Sequence, residues 1–266
     1  MIGRFGHRSA HSLGRRTLYA LRSYFLGGVS KAQAVYFVEH RGHRYKRVVF
    51  GDSRQAELVE LNMQAVAVAS ALPRLILRHE REVWVEFVHG RALDPTSATD
   101  LTELATFYAD LYRGGAHHVA LADTAWHEKL QTDLWFLARS GVLASSRAEE
   151  ITRHAEDIKP ETVWQGYDYV DPVAKNFVVA TDGLKAIDIE SIQADQLLGT
   201  GIAKAGIHWP GFGADDFVAR MIECGAPDFR AQQRYTELCF IAGWTKRKVL
   251  TGKHRYIQPE RFDGFR

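Results

Sequence analysis

Three side chains with oxygen donors stand close together in the second half of the chain. Asp171 and Asn176 bracket the loop Asp-Pro-Val-Ala-Lys-Asn, and Asp188 follows after a short β-type stretch. One carboxylate can position an attacking hydroxyl group and accept its proton. A carboxylate together with an amide oxygen can hold Mg²⁺ on phosphate groups. Phosphoryl transfer requires such a set, provided that the fold brings the three side chains together.

The stretch between Asn176 and Asp188 predicts a tight hairpin. Phe177–Ala180 and Lys185–Asp188 flank Asp182-Gly183, a dipeptide typical of hairpin turns. Asp188 would therefore stand at the end of a strand pair that starts directly after the loop.

These motifs resemble the catalytic loop and the metal-binding motif of the protein-kinase-like superfamily. The run Ile-Asp-Ile-Glu at 187–190 is similar to the branch that contains aminoglycoside phosphotransferases and choline kinases, whereas protein kinases have Asp-Phe-Gly. The resemblance implies a kinase that uses ATP and Mg²⁺. It implies that Asp171 is the catalytic residue and that Asn176 and Asp188 bind the metal. Tyr169 and Val170 depart from the residues usual in the family.

A glycine-containing segment precedes the first clear strand. Gly27, Gly28 and Ser30 are similar in order to the Gly-Gly-x-Ser/Thr loop of the same branch. Glycines let the backbone approach a phosphate, and successive N–H groups can face it. The resemblance implies that these residues contact the nucleotide.

The following strand should carry the cation that pairs with the nucleotide phosphates. Lys46 and Arg47 are the candidates, and they point to opposite faces of the strand. The pattern does not fix the register, and we favour Lys46. The usual partner of this cation is a glutamate on the next helix. We favour Glu57, along the apolar stripe, over Glu60.

The segment 83–90 resembles the hinge between the two lobes. In that family the hinge backbone binds adenine, so Glu86 and Val88 are implied to contact the nucleotide through main-chain groups.

The element order predicts an α+β, bilobal kinase-like fold. Strands are expected at 34–39, 45–50, 75–78 and 83–88, with one helix that begins near Asp52 and ends before Pro73. Leu58 and Leu61 belong to its expected buried stripe. Helices are expected at 101–112, 126–138, 147–158, 217–224 and 230–241, around one β-rich island. We place a nucleotide-binding lobe at 1–90 and a catalytic lobe at 91–266.

Composition and motifs exclude several other classes. Two cysteines, Cys224 and Cys239, form no disulfide framework, and no apolar run approaches the length of a membrane span. No P-loop, Rossmann fingerprint or serine-hydrolase motif is present. We expect no nucleic-acid partner. The net charge is only +2, but basic residues concentrate in the first 38 residues and again around Lys246–Arg255.

These basic segments favour an anionic acceptor or contact with an anionic membrane surface. Kinases of lipopolysaccharide core sugars, which work at the cytoplasmic face of the inner membrane, resemble the chain in size and plan. A soluble sugar, a choline-like alcohol or an aminoglycoside stays open as the acceptor. A pseudokinase and a peripheral membrane-binding module are the two alternatives to an active enzyme, and the oligomeric state is not fixed by the sequence.

Overall fold

The first part of the chain forms an antiparallel sheet. The computed structural model describes the backbone of residues 2–8 and the whole of residues 33–265. Five strands pair in the order β1-β2-β3-β5-β4. They are β1 (Ile2–Arg8), β2 (Ala34–His40), β3 (His43–Val49), β4 (Leu75–His79) and β5 (Glu82–Glu86). The two predicted strand pairs are therefore confirmed.

A single helix, α1 (Ser53–Ala65), follows β3. It starts where the sequence predicts, because the Asp52 side chain accepts a hydrogen bond from the Gln55 amide at 2.9 Å. It ends earlier than predicted, at Ala65, and a short 3-10 turn occupies Ala69–Ala71 before the next strand.

The predicted apolar stripe is wrong within α1, although Val68 and Leu72, which were expected to continue it, are buried beyond the end of the helix. Leu58 and Leu61 are 40% and 55% exposed, whereas the buried residues are Ala56, Val59, Asn62 and Met63. Both sets recur at helical spacing, so periodicity alone does not decide between them. The buried set faces the sheet and the second part of the chain, where Asn62 Nδ2 donates to the carbonyl oxygen of Ile192 at 3.0 Å.

The second part of the chain is mainly helical, as predicted. Its helices among the described residues are α2 (Ala98–Arg113), α3 (Trp126–Arg139), α4 (Ser145–Asp157), α5 (Thr200–His208), α6 (Ala214–Glu223) and α7 (Arg230–Leu250). All but α5 match predicted helices, and α7 extends well beyond the predicted end. None of the helices in the described ranges has the length and apolar character needed to cross a bilayer.

Two small sheets interrupt these helices, where the sequence predicted one β-rich island. The first has the order β10-β9-β6, and the second has the order β11-β8-β7. Their strands are β6 (Arg91–Ala92), β7 (His117–Ala120), β8 (Thr162–Tyr169), β9 (Phe177–Ala180), β10 (Gly183–Ala186) and β11 (Ile192–Leu197). The second sheet was missed because β8 carries several polar residues, which hide the usual β pattern.

One hydrophobic core joins the two parts of the chain. Val48 and Val85 of the five-stranded sheet belong to the same buried cluster as Leu104 and Tyr169 of the helical part. A second cluster lies wholly within the helical part and includes Leu134 and Leu238. Burial of these side chains supplies the main driving force that holds the helices and sheets in place.

Candidate active site

The structure brings Asp171, Asn176 and Asp188 together. Asn176 Nδ2 donates to the backbone carbonyl oxygen of Asp171 at 2.8 Å and to Asp188 Oδ2 at 3.3 Å. Because a carbonyl oxygen can only accept, the amide nitrogen must face Asp171, and Asn176 Oδ1 points elsewhere. Asn176 therefore contacts both Asp171 and Asp188, through a backbone carbonyl in the first case and a carboxylate in the second.

The hairpin of β9 and β10 produces this convergence. Phe177 pairs with Ala186, and the Ile187 amide donates to the Asn176 carbonyl oxygen at 2.8 Å, which continues the ladder one step. The hairpin therefore brings Asp188 back beside Asn176, the residue that precedes β9. The predicted hairpin is confirmed, and Gly183 in its turn region has a positive φ of 112°.

Aromatic packing fixes the base of the catalytic loop. The ring of Phe107 on α2 meets the rings of Tyr169 and Phe177 edge-on, with 5.7 Å between centroids in both cases. Tyr169 and Phe177 close the loop from its two ends and are fully buried. The loop is therefore anchored where it leaves β8 and where it enters β9.

The Asp188 carboxylate is held in a defined orientation. Ser191 Oγ donates to Asp188 Oδ2 at 2.9 Å, and the Ser191 amide donates to the Asp188 carbonyl oxygen at 2.9 Å. Both side-chain donors, from Asn176 and Ser191, meet Oδ2. Within the described residues, Oδ1 receives no hydrogen bond. The sequence analysis missed Ser191, although its position three residues after Asp188 fits a side-chain-capped turn.

The donor set suits Mg²⁺ bound together with phosphates. The described residues contain no group of three or more histidine, cysteine, aspartate or glutamate residues that could hold a metal by itself. Mg²⁺ typically takes one or two protein oxygens and completes its shell with water and substrate phosphates. Asp188 Oδ1 and Asn176 Oδ1 are the candidate protein oxygens for this role, because the hydrogen bonds described above use Asp188 Oδ2 and Asn176 Nδ2 instead.

A lysine that the sequence analysis missed contacts the carboxylate of Asp171. Lys204 Nζ on α5 lies 2.5 Å from Asp171 Oδ1, and the two side chains are 17% and 14% exposed. Nothing in the sequence distinguished Lys204 from the other lysines, because the helix that carries it was not predicted. The carboxylate of Asp171 faces α5, while its carbonyl faces Asn176.

A buried carboxylate fastens α5 to the strand that leads into the catalytic loop. Asp168 on β8 is fully buried, and its Oδ2 accepts hydrogen bonds from Tyr112 OH and from the Gly201 amide, each at 3.1 Å. Its Oδ1 has no hydrogen-bond partner in the described part of the chain. Burial raises the pKa of Asp168 from 3.8 to about 7, despite these donors.

Gly201 permits this close approach. A Cβ atom at Gly201 would lie 2.3 Å from the Tyr169 carbonyl oxygen and 2.9 Å from Asp168 Oδ1. The first turn of α5 therefore rests directly on β8. Lys204 follows one turn later, which places its ammonium group at Asp171.

Lys46 and Arg47 lie on opposite faces of β3, as predicted. Lys46 Nζ donates to the carbonyl oxygen of Ile187 at 2.7 Å, next to Asp188. Arg47 Nε donates to Glu82 at 2.8 Å, and its guanidinium group lies over the ring of Trp84 at 5.5 Å. The candidate Arg47 is therefore a correction to the sequence interpretation: Glu82 holds its guanidinium group on the other face of β3, away from Asp188.

The structure also corrects the expected partner of Lys46. Glu57 is exposed on α1 because the buried stripe includes Ala56 and Val59 instead of the predicted leucines. The charge of the Glu57 carboxylate helps to raise the pKa of Arg78. Arg78 itself forms an ion pair with Glu60 at 2.5 Å. Neither glutamate forms an ion pair with Lys46.

The two hinge candidates differ in what their backbone can offer. The amide of Glu86 donates to the carbonyl oxygen of Arg74 at 3.0 Å, so it is already used in the sheet. Val88 lies between β5 and β6, and its N–H has no backbone partner among the described residues. Val88 can therefore offer its N–H to a ligand. Gly27, Gly28 and Ser30 lie outside the described residues.

Comparisons with known proteins find similarity in structure alone. No protein-family model and no curated protein matches the sequence. Choline kinase LicA from Streptococcus pneumoniae matches the fold with a TM-score of 0.60 at 14% identity, over 94% of this chain and 95% of that chain. A macrolide 2'-phosphotransferase type I matches with a TM-score of 0.59 at 13% identity, over 93% and 94% of the two chains.

An ethanolamine kinase from Plasmodium vivax also matches, with a TM-score of 0.58 at 12% identity, over 83% of this chain and 74% of that chain. The chain therefore has a kinase-like fold, in the form found in choline kinase, ethanolamine kinase and a macrolide phosphotransferase.

Proposed function

We propose that the protein is an ATP- and Mg²⁺-dependent phosphotransferase that phosphorylates a hydroxyl group of a non-protein acceptor. The observation that carries this proposal is the double hydrogen bond of Asn176 to the Asp171 carbonyl oxygen and to the Asp188 carboxylate. It ties the residue that carries the candidate base to the two residues that carry the candidate metal ligands. The cation Lys46 contacts Ile187, the residue before Asp188, from the five-stranded sheet.

Each residue then has a role that follows from its position. Asp171 orients the acceptor hydroxyl and takes its proton as the phosphoryl group is transferred. Lys46 binds the nucleotide phosphates, and the Val88 N–H binds the adenine edge. Asp188 and Asn176 would hold Mg²⁺, which neutralises charge on the phosphates when bound. Ser191 keeps the Asp188 carboxylate in the orientation that this requires.

Two similar structures carry nucleotides. LicA has been solved in complex with AMP, and a thermostable aminoglycoside phosphotransferase APH(4)-Ia has been solved in a ternary complex with ADP and hygromycin B. Their fold extends over 95% and 94% of this chain. This supports a nucleotide between the sheet and the catalytic loop, and a small molecule as the acceptor. We place the protein on the cytoplasmic side of the membrane, where ATP is available.

The test is ATP consumption by the purified full chain with Mg²⁺, against a panel of sugars, sugar phosphates, lipids and antibiotics. Replacing Asp171 with alanine should lower turnover by about 10³-fold, because the transfer loses its base. The matched control is Asp182→Ala, since Asp182 is an exposed aspartate on the turn of the same hairpin. Equal turnover in the Asp171 variant and the parent would overturn the assignment.

The contact between Lys204 and Asp171 favours a second candidate. A carboxylate already held by an ammonium group at 2.5 Å is less available to an acceptor hydroxyl. A protein that binds nucleotide without transferring phosphate would have this arrangement. Magnesium-dependent binding of an ATP analogue, with no turnover on the whole panel, would identify that pseudokinase.

A further inference from the structure

A band of cations extends from the catalytic aspartate across α5 and α7. Lys204, in contact with Asp171, lies one helical turn before His208 on α5. The ring of His208 lies 6.4 Å from the ring of Trp244 on α7, between centroids. Lys248, one turn further along α7, lies 4.8 Å from the centre of the Trp244 ring.

The segment after α7 adds more positive charge to the same place. The guanidinium group of Arg261 lies 5.7 Å from the centre of the Trp244 ring. Tyr256 has Lys248 at 5.2 Å and Arg255 at 4.7 Å from its ring centre. We call Lys204, His208, Lys248, Arg255 and Arg261 the basic band.

The two aromatic rings of this region are already used by the chain. A cationic acceptor such as choline is recognised by open aromatic faces together with carboxylates. Here the rings of Trp244 and Tyr256 each lie beneath two cations of the protein itself. A positively charged acceptor would therefore meet repulsion at the rings that would otherwise bind it.

Arg261 has hydrogen-bonding capacity that the described residues leave unused. Its Nε is buried and has no hydrogen-bond partner in the described part of the chain. Burial lowers the pKa of Arg261, and Glu260 is the acid that acts in the opposite direction. A buried guanidinium N–H without an acceptor is costly, and the positive charge of this guanidinium group favours a phosphate or carboxylate nearby.

The charges that act on His208 agree with the ring contacts described above. Burial lowers the pKa of the His208 imidazole, and three nearby cations lower it further: Lys204, Lys248 and Arg261. Asp171 is the acid that acts against them. The positive charges of α5, α7 and the C-terminal segment are therefore close enough to act on one ring beside the catalytic loop.

We propose that the basic band is the acceptor subsite and that it binds a phosphate or carboxylate group carried by the acceptor. This inference rests on the proposed function, because it names the substrate class of the same site. In the reaction, the acceptor hydroxyl oxygen forms a bond to the γ-phosphorus of ATP while the bond from that phosphorus to the ADP oxygen breaks. The hydroxyl proton passes to Asp171.

This position also assigns a role to Lys204. An anionic acceptor brings negative charge next to Asp171, and Lys204 lies where it can contact both groups. Its ammonium group positions the carboxylate and shields it from the charge of the acceptor. Lys204 is therefore a positioning residue that an anionic acceptor would require and a cationic acceptor would not.

The experiment measures binding to the full chain with Mg²⁺ and a non-hydrolysable ATP analogue. Glucose 6-phosphate is compared with glucose and with choline by isothermal titration calorimetry. Glucose 6-phosphate should bind at least about tenfold more tightly than the other two, which corresponds to one charge-assisted hydrogen bond or more. Its affinity should fall as the salt concentration rises. Equal or tighter binding of choline, or no binding of the anion, would overturn the inference.

Substitutions in the basic band show whether its side chains cause the preference for glucose 6-phosphate. The double substitution Lys248→Gln and Arg261→Gln should remove the preference for glucose 6-phosphate. Arg153→Gln, at an exposed arginine on α4, should preserve it. Circular dichroism of each variant checks that the fold is intact. A retained preference in the double variant would contradict the proposal.

A second arm separates a soluble anion from a lipid. Sedimentation with phosphatidylglycerol vesicles, compared with phosphatidylcholine vesicles, tests a lipid headgroup as the source of the anion. Binding to the vesicles that the double substitution abolishes assigns the subsite to a lipid, whereas binding of the sugar phosphate alone assigns it to a soluble acceptor. Turnover that depends on Asp171, together with equal affinity for anionic and neutral acceptors, would overturn this inference and leave the proposed function supported. A preference for anions that the double substitution removes, without any turnover, would overturn the proposed kinase and leave the basic band only as an anion-binding surface.

Discussion

The ammonium group of Lys46 on β3 lies 2.7 Å from the carbonyl oxygen of Ile187, the residue before Asp188. This hydrogen bond links the five-stranded sheet to the end of the hairpin that carries the candidate metal ligand. It places a cation where nucleotide phosphates would meet Mg²⁺. The neighbouring residue, Arg47, is held by Glu82 on the other face of the strand.

The first prediction follows from this difference. Lys46→Ala should weaken binding of an ATP analogue by about tenfold or more, because a charge-assisted contact to phosphate is lost. Arg47→Ala should leave the affinity near that of the parent, although the loss of its ion pair lowers the thermal stability. Fluorescence titration with a labelled ATP analogue measures the affinity. Equal losses in both variants would contradict the assignment of Lys46.

The second prediction concerns Asp188 and Ser191. Asp188→Ala should abolish the dependence of nucleotide affinity on Mg²⁺, because the carboxylate that would hold the metal is gone. Ser191→Ala should produce a smaller loss, since it removes one hydrogen bond to Oδ2 and leaves the carboxylate in place. Titration of nucleotide with and without Mg²⁺ measures both effects. If the Asp188 variant responds to Mg²⁺ like the parent, the metal lies elsewhere.

The third prediction compares two glycines of α5. Gly201→Ala should destabilise the protein by about 1–3 kcal/mol, because its Cβ would press on the Tyr169 carbonyl oxygen at 2.3 Å. It should also lower turnover by moving Lys204 away from Asp171. Gly206→Ala is the matched control, since nothing lies within 4 Å of a Cβ there. That change should stabilise the helix by up to about 1 kcal/mol.

Chemical denaturation of both glycine variants measures the difference in stability. A Gly201 variant as stable and as active as the Gly206 variant would show that α5 does not rest on β8.

The fourth prediction concerns the buried carboxylate of Asp168. Its pKa is raised by burial from 3.8 to about 7, so between pH 4 and 7 the folded protein holds a proton that the unfolded chain has released. The stabilising contribution is complete below pH 4 and is lost as the pH rises through 7. The slope is at most about 1.4 kcal/mol per pH unit.

Asp168→Asn should remove that slope, because an amide does not titrate. The free energy of unfolding, measured in urea at several pH values, should then vary less between pH 5 and 8 than in the parent. Asp195→Asn, at an exposed aspartate of β11, should keep the slope of the parent. A slope that persists in the Asp168 variant would assign the titration to another group.

The sequence predicts the hairpin between Asn176 and Asp188 well because its geometry is local. Asp171, Asn176 and Asp188 are joined by a short loop and a hairpin, and the turn chemistry of a hairpin can be read directly from the residues. The choice between Lys46 and Arg47 required the sheet register, which the pattern of two adjacent cations does not contain.

Helix α5 could not be predicted for a different reason. Its sequence, Thr-Gly-Ile-Ala-Lys-Ala-Gly-Ile-His, includes two glycines that disfavour an isolated helix. It is helical because Asp168 and Tyr169 of β8 receive its first turn. Lys204 therefore enters the site through tertiary packing between elements distant in sequence. The buried stripe of α1 was missed because two sets of residues fit the same period.

The short strand β6 would restrict any movement of the five-stranded sheet relative to the hairpin of β9 and β10. Arg91 and Ala92 pair with Val179 and Val178 of the catalytic hairpin, and a Cβ at Gly90 would lie 2.3 Å from the Val179 carbonyl oxygen. The segment that connects β5 to β6 is therefore hydrogen-bonded to the hairpin immediately after Gly90. At its other end, the Phe87 amide donates to the carbonyl oxygen of Arg44 in the five-stranded sheet. Only Val88 and His89 lie between these two hydrogen-bonded points. A molecule bound to the Val88 backbone would therefore also stiffen the short segment that connects the sheet to the hairpin.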